Sequence, residues 1–132
     1  MKSDTTTEGL RIQALASFLP DQSNPVDGKF MFSYRIRIVN EGTKRARLLR
    51  RHWIIINGSG DREDVEGPGV VGKMPSLAPG DVFEYTSFCP LNTEWGTMEG
   101  SYQMQRDDGS MFDALIGRFY LAVNPPQMIE AQ

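Results

Sequence analysis

The chain has 132 residues and a formal net charge of −3. That length suits one domain with one core, and the charge excludes sequence-independent nucleic-acid binding by phosphate neutralisation. The 13 glycines and 8 prolines fall between apolar runs, which argues against a helical bundle and for a β protein rich in turns. A lone cysteine, Cys89, excludes an internal disulfide and fits a reducing compartment.

Residues 1–9, MKSDTTTEG, hold no apolar h-region, so a secretory signal is not expected. Their polar composition reads as a flexible N-terminal tail. No stretch approaches the ~18 apolar residues of a membrane span. The expectation is a cytoplasmic domain over residues 10–124, free of membrane contact, with a C-terminal tail over 125–132 that begins near Pro125-Pro126.

Leu10, Ile12, Ala14, Ala16 and Phe18 alternate with polar neighbours, the period of a half-buried strand. Residues 20–29 carry turn chemistry at Asp27-Gly28. In residues 30–39, Phe30, Phe32, Tyr34, Ile36 and Ile38 share one face and Ser33, Arg35 and Arg37 the other, as in an antiparallel strand with one dry face. Residues 46–57 form a longer strand. Leu49, Arg51, Trp53 and Ile55 share one parity; Leu48, Arg50, His52, Ile54 and Ile56 share the other. Arg51 therefore points the same way as Trp53, toward the core. Residues 62–66 are short and charged and suit an edge strand. Strands follow at 82–89, 98–106 and 111–123. In the last, the apolar parity slips at Gly117, from Phe112, Ala114 and Ile116 to Phe119, Leu121 and Val123. A β-bulge there restores one common face. About seven strands with turns every 8–12 residues predict an all-β sandwich of the immunoglobulin or fibronectin type III kind, with Trp53 buried.

Several groups could carry chemistry. Gly67, Gly69 and Gly72 spell G-x-G-x-x-G, and Gly67 to Lys73 opens like a P-loop. Both motifs need a helix N-terminus behind them. Here Met74 replaces the serine or threonine that would hold magnesium, and it precedes Pro75, which disfavours helix. A steric reading, with glycine needed for a tight backbone crossing, stands beside an anion nest formed by the same amides. Lys44, Arg45, Arg47, Arg50 and Arg51 form a basic cluster, and Arg50 and His52 share a strand face from which they could hold an anion. One histidine and one cysteine are too few for structural zinc. No G-x-S-x-G elbow accompanies His52, so no serine-type triad is expected. Cys89 reads as a buried filler. Glu63, Asp64 and Glu66 read as a solvated edge rather than a metal loop.

Arg51-His52-Trp53, the run VEGPGVVG at residues 65–72, Leu77-Ala78-Pro79-Gly80, Tyr85-Thr86-Ser87 and Met98-Glu99-Gly100-Ser101-Tyr102 together resemble the ApaG family, over residues 12–123. The opening of the second strand, Phe30-Met31-Phe32-Ser33-Tyr34, continues the likeness. The resemblance implies a fibronectin type III-like sandwich and an association with cobalt resistance and magnesium efflux. It also implies a role in protein interaction, with no catalytic residues to carry over. The expectation is a non-enzymatic binding module without cofactor or metal, monomeric or weakly dimeric, with a protein partner. The alternative is a nucleotide or pyrophosphate binder, with a phosphate-containing small ligand at Arg50, His52, Gly67, Gly69, Gly72 and Lys73.

Overall fold

A computed structural model describes residues 2–124. The C-terminal tail expected over 125–132 lies outside the described residues. Nine strands run in the order β1 (Lys2–Thr7), β2 (Leu10–Phe18), β3 (Phe30–Asn40), β4 (Ala46–Asn57), β5 (Arg62–Pro68), β6 (Ser76–Leu77), β7 (Val82–Leu91), β8 (Trp95–Gln105) and β9 (Met111–Ala122). Two short 3-10 turns, Pro20–Gln22 and Pro25–Asp27, bridge β2 and β3. The strands make two antiparallel sheets, β1-β2-β3-β7 and β5-β4-β8-β9, with β6 paired to the start of β4. This is the all-β sandwich that the alternation predicts.

Residues 2–7 are not a loose tail: β1 pairs with β2 from Lys2↔Leu15 to Thr7↔Leu10. Glu8 and Gly9 turn the chain with φ of 45° and 85°, the two positive values of a tight hairpin turn. Ser3, Thr5 and Thr7 are half-buried while Lys2, Asp4 and Thr6 face solvent. The support comes from the other sheet. β9 packs against β1 and β2, the Leu115 amide donates to Thr7 Oγ1 (3.1 Å), and Gly117 leaves room for Thr5, whose Oγ1 would lie 2.4 Å from a Cβ there.

Gly117 also marks the bulge read from the parity slip. Met98 pairs with Phe119 but Gly100 pairs with Ile116, so two residues of β9 oppose Glu99. Ala114, Ile116, Phe119 and Leu121 are buried on both sides of it. A second bulge, at Leu49 in β4, was not expected. It moves the inner face from Ala46 and Leu48 to Arg51, Trp53 and Ile55. Leu48, not Leu49, is therefore the buried leucine.

Trp53 stands at the centre, with edge-to-face neighbours Tyr34 (5.2 Å between centroids), Phe119 (5.9 Å) and Tyr102 (6.4 Å). At one end of the core sits Asn40, fully buried. Its Nδ2 donates to the carbonyls of Lys44 (2.8 Å) and Leu77 (2.9 Å), and its Oδ1 accepts from the Gly42 amide (3.0 Å). Asn40→Leu keeps the volume but leaves those backbone groups unpaired. It is expected to cost about 1–3 kcal/mol in urea denaturation, whereas an unchanged midpoint would mean that water satisfies them.

With β9 closing the sandwich against β1 and β2, the edge strands β5 and β7 lie on the opposite side. There the sheets part.

Candidate functional site

The parting between β4–β5 and β7 is a cleft of about 700 Å³ lined by Tyr34, Arg51, Trp53, Val65, Cys89, Leu91 and Met98 among others. A smaller hollow of about 370 Å³ lies beside it, under residues 68–72, and shares Tyr34, Arg51, Trp53 and Ser87. Arg51 thus stands where the two meet. It reaches that place because the Leu49 bulge turns it inward on the parity of Trp53.

The glycine-rich segment is shaped around this side chain. Gly67 lies directly opposite Arg51 in the β4–β5 ladder. A Cβ on Gly67 would stand 2.8 Å from Nη2 and 3.0 Å from Cζ of Arg51, so the guanidinium rests on the bare glycine. Arg51 Nη1 donates to the carbonyls of Pro68 (2.9 Å) and Gly69 (3.0 Å). Past Gly69 the chain makes a tight hairpin. The Val70 and Lys73 amides and carbonyls exchange hydrogen bonds (2.8 and 2.9 Å) across Val71 and Gly72, whose φ values are 43° and 78°. The Gly69 amide donates to the Leu49 carbonyl (2.8 Å). An anion nest needs convergent N–H groups. Here the amides of Gly69, Val70 and Lys73 are committed to the backbone, and what converges on the centre is a pair of carbonyls, holding a cation. No helix follows; the next element is the short strand β6.

The structure therefore divides the residues singled out in the sequence. Gly67 and Gly69 serve Arg51, and Gly72 and Lys73 belong to the hairpin. Arg50 and His52 project from the outer face of the same sheet. They line a depression of about 210 Å³ with Glu66, Ser101, Gln103 and Asp113, which Arg51 also borders. His52 is not left to an anion there, because its Nε2 meets Asp64 Oδ2 at 2.8 Å. Asp64 also accepts from Arg62 Nε (2.7 Å) and Nη2 (3.0 Å). Arg62, and after it His52, hold that carboxyl well below the usual range.

Sequence reasoning missed the hydroxyl groups next to Arg51. Tyr85 and Tyr102 hydrogen-bond through their hydroxyls inside the core, and Ser87 lies beside Tyr34. Burial pushes the hydroxyls of Tyr34, Tyr85 and Tyr102 up, and the positive charge of Arg51 opposes that shift in all three. Cys89 lines the cleft as a neutral thiol: burial, reinforced by Glu63, raises it to about 12. A thiolate is the reactive form. Iodoacetamide at pH 8 is therefore expected to alkylate native Cys89 at least ~100-fold more slowly than the urea-unfolded chain. Equal rates would contradict the burial. Among the described residues the cleft thus brings together a fixed cation, hydroxyl groups and aromatic walls, suited to holding a ligand.

The family model for the ApaG domain matches residues 20–106. The Protein ApaG of Anaeromyxobacter dehalogenans (strain 2CP-C) is 51% identical over 121 residues, which cover 92% of this chain and 95% of the relative. That of Paramagnetospirillum magneticum (strain ATCC 700264 / AMB-1) is 48% identical over 116 residues, 88% of this chain and 89% of its own length. A solved Bordetella pertussis structure, described as that of an ApaA protein, superposes with a TM-score of 0.86 at 42% identity, over 89% of this chain and 95% of that one. With the sandwich, the glycine segment and a match over most of its length in place, the chain belongs to the ApaG domain family.

Proposed function

We propose that this protein is a non-enzymatic interaction module of the ApaG type, and that its contact face is the basic end of the β4–β8 surface, turned toward an acidic segment of a protein partner. The observation that carries this reading is how the arginines are paired. Arg11, Arg35, Arg37, Arg62 and Arg118 each hold a carboxylate, at 2.6, 2.6, 3.1, 2.7 and 2.9 Å. Among the described residues, Arg45, Arg47, Arg50, Arg51 and Arg106 hold none; Arg45 directly precedes β4, the next three lie on its first half, and Arg106 directly follows β8. Arg106 is spent on the carbonyls of Glu8 (2.8 Å) and Lys44 (3.0 Å) and on the face of Phe112. Arg51 turns inward. Arg45, Arg47 and Arg50 remain exposed, a concentration of charge on a protein of net charge −3 that gives orientation and on-rate toward an acidic surface.

The association with cobalt resistance and magnesium efflux then runs through the partner. Support comes from Asp64, whose oxygens already serve Arg62 and His52. The test is fluorescence anisotropy with a labelled oligoglutamate peptide, comparing the wild type with an Arg47→Glu, Arg50→Glu double variant. Binding that weakens with salt and disappears in the double variant is expected. Equal binding by both proteins would contradict this face. Saturable amide shifts with pyrophosphate, confined to residues 67–73, would favour the nucleotide or pyrophosphate alternative instead.

A further inference from the structure

We propose that the cleft between β4–β5 and β7 is a binding site for a small organic carboxylate with an aromatic or aliphatic body, anchored by Arg51. This goes beyond the protein-contact face, which lies on the other side of the same sheet, and the two stand or fall separately.

Three features carry the inference. The cleft has a size and lining typical of small-molecule sites: about 700 Å³, with the aromatic rings of Tyr34 and Trp53 and the apolar side chains of Val65, Leu91 and Met98 along its walls. Second, its charge is fixed in advance. Both Nη1 protons of Arg51 are held by the Pro68 and Gly69 carbonyls, so the guanidinium cannot swing out. Its Nε and Nη2 protons have no acceptor among the described residues. A guanidinium edge with two such donors matches the two oxygens of a carboxylate. Third, the order of the ligand's charge follows from the surroundings. Asp61, Glu63 and Lys29 line the same cleft, and Arg62 is engaged by Asp64. A diphosphate or triphosphate would bring two or more negative charges to a lining in which Arg51 and Lys29 are already offset by two carboxylates. A monoanion meets the guanidinium edge of Arg51 one to one, and its apolar body lies along Ile55, Val65 and Phe88, the less buried apolar side chains of the lining. The Tyr34 hydroxyl and Ser87, which line both hollows with Arg51, stand ready as further polar contacts to the head group.

The experiment is an NMR titration of the protein labelled at backbone amides and arginine Nε. Three probes are used: 4-phenylbutyrate, its uncharged isostere 4-phenylbutyramide, and inorganic pyrophosphate. Saturable shifts with 4-phenylbutyrate are expected at Arg51 Nε, Ser87 and Trp53. The amide should bind at least ~10-fold more weakly, as should the acid to an Arg51→Gln variant. Arg118→Gln, whose guanidinium pairs with Glu99 and does not line the cleft, should bind like the wild type. The acid–amide comparison uses only the wild type, so it decides the matter even where Arg51→Gln fails to fold. Equal shifts from acid and amide, undiminished binding by a folded Arg51→Gln protein, tighter binding of pyrophosphate, or no saturable shift with the acid would each overturn the proposal.

Discussion

Trp53→Ala is expected to lower the stability of the sandwich by about 3–5 kcal/mol, the range for removing a large aromatic side chain from a packed core. The indole is 2% exposed and touches three rings, Tyr34 and Tyr102 among them, from both sheets. Its loss would remove buried area and the edge-to-face contacts together. Urea denaturation should show a lower midpoint with an unchanged slope. Fluorescence offers a second reading. Trp95, the other tryptophan, is 48% exposed and lies stacked on Tyr120, so the variant's remaining emission should be that of a solvated indole before and after unfolding. A loss below about 1 kcal/mol would mean that the ring is not the centre of the core and that water from the cleft already reaches it.

Gly69→Ala should cost about 2–4 kcal/mol. Gly69 has φ of +60°, where a Cβ adds roughly 1–2 kcal/mol of steric strain. That Cβ would also lie 2.3 Å from the Lys73 carbonyl oxygen and 3.1 Å from its carbon. Both are backbone atoms, so the hairpin would have to open. The Val70–Lys73 pair and the Gly69 carbonyl on Arg51 would move with it. Gly72 provides the control: its φ is +78° but nothing lies within 4 Å of a Cβ, so Gly72→Ala should cost only the strain, about 1–2 kcal/mol. A phosphate-loop role predicts a different outcome, in which both substitutions spare stability and weaken anion binding alike. Thermal denaturation of the two variants separates these accounts.

These expectations also show what kind of information the sequence held. Strands with one apolar face announce themselves by parity, so β2, β3, β7 and β8 were legible. So was the β9 bulge, because two apolar sets of opposite parity flank a glycine. The β4 bulge left no such trace. Leu48 and Leu49 are both apolar, and either could have been the buried one. β1 was invisible for a different reason: nothing in KSDTTT is apolar, and what holds it is a neighbouring strand and the space above Gly117. At the site, Arg51 betrayed itself by sharing parity with Trp53. What its guanidinium does depends on carbonyl directions in a hairpin 17 residues away from it along the chain, and composition does not encode those directions. The same limit separated Arg50 from the glycines. Adjacent residues of one strand face opposite sides of a sheet, and only the position of that sheet in the sandwich tells which side is the cleft.

The central claim is that the glycine-rich segment immobilises a cation rather than receives an anion. Its most direct test is arginine side-chain NMR of Arg51 in the free protein. In the wild type, Nη1 and Nη2 should give separate signals, because the Pro68 and Gly69 carbonyls tether Nη1 and so block the rotation about the Nε–Cζ bond that exchanges the two nitrogens. In a Gly67→Ala variant, whose new Cβ displaces the guanidinium, the signals should merge. A wild-type Arg51 that already shows the single averaged signal of a freely rotating guanidinium would contradict the claim.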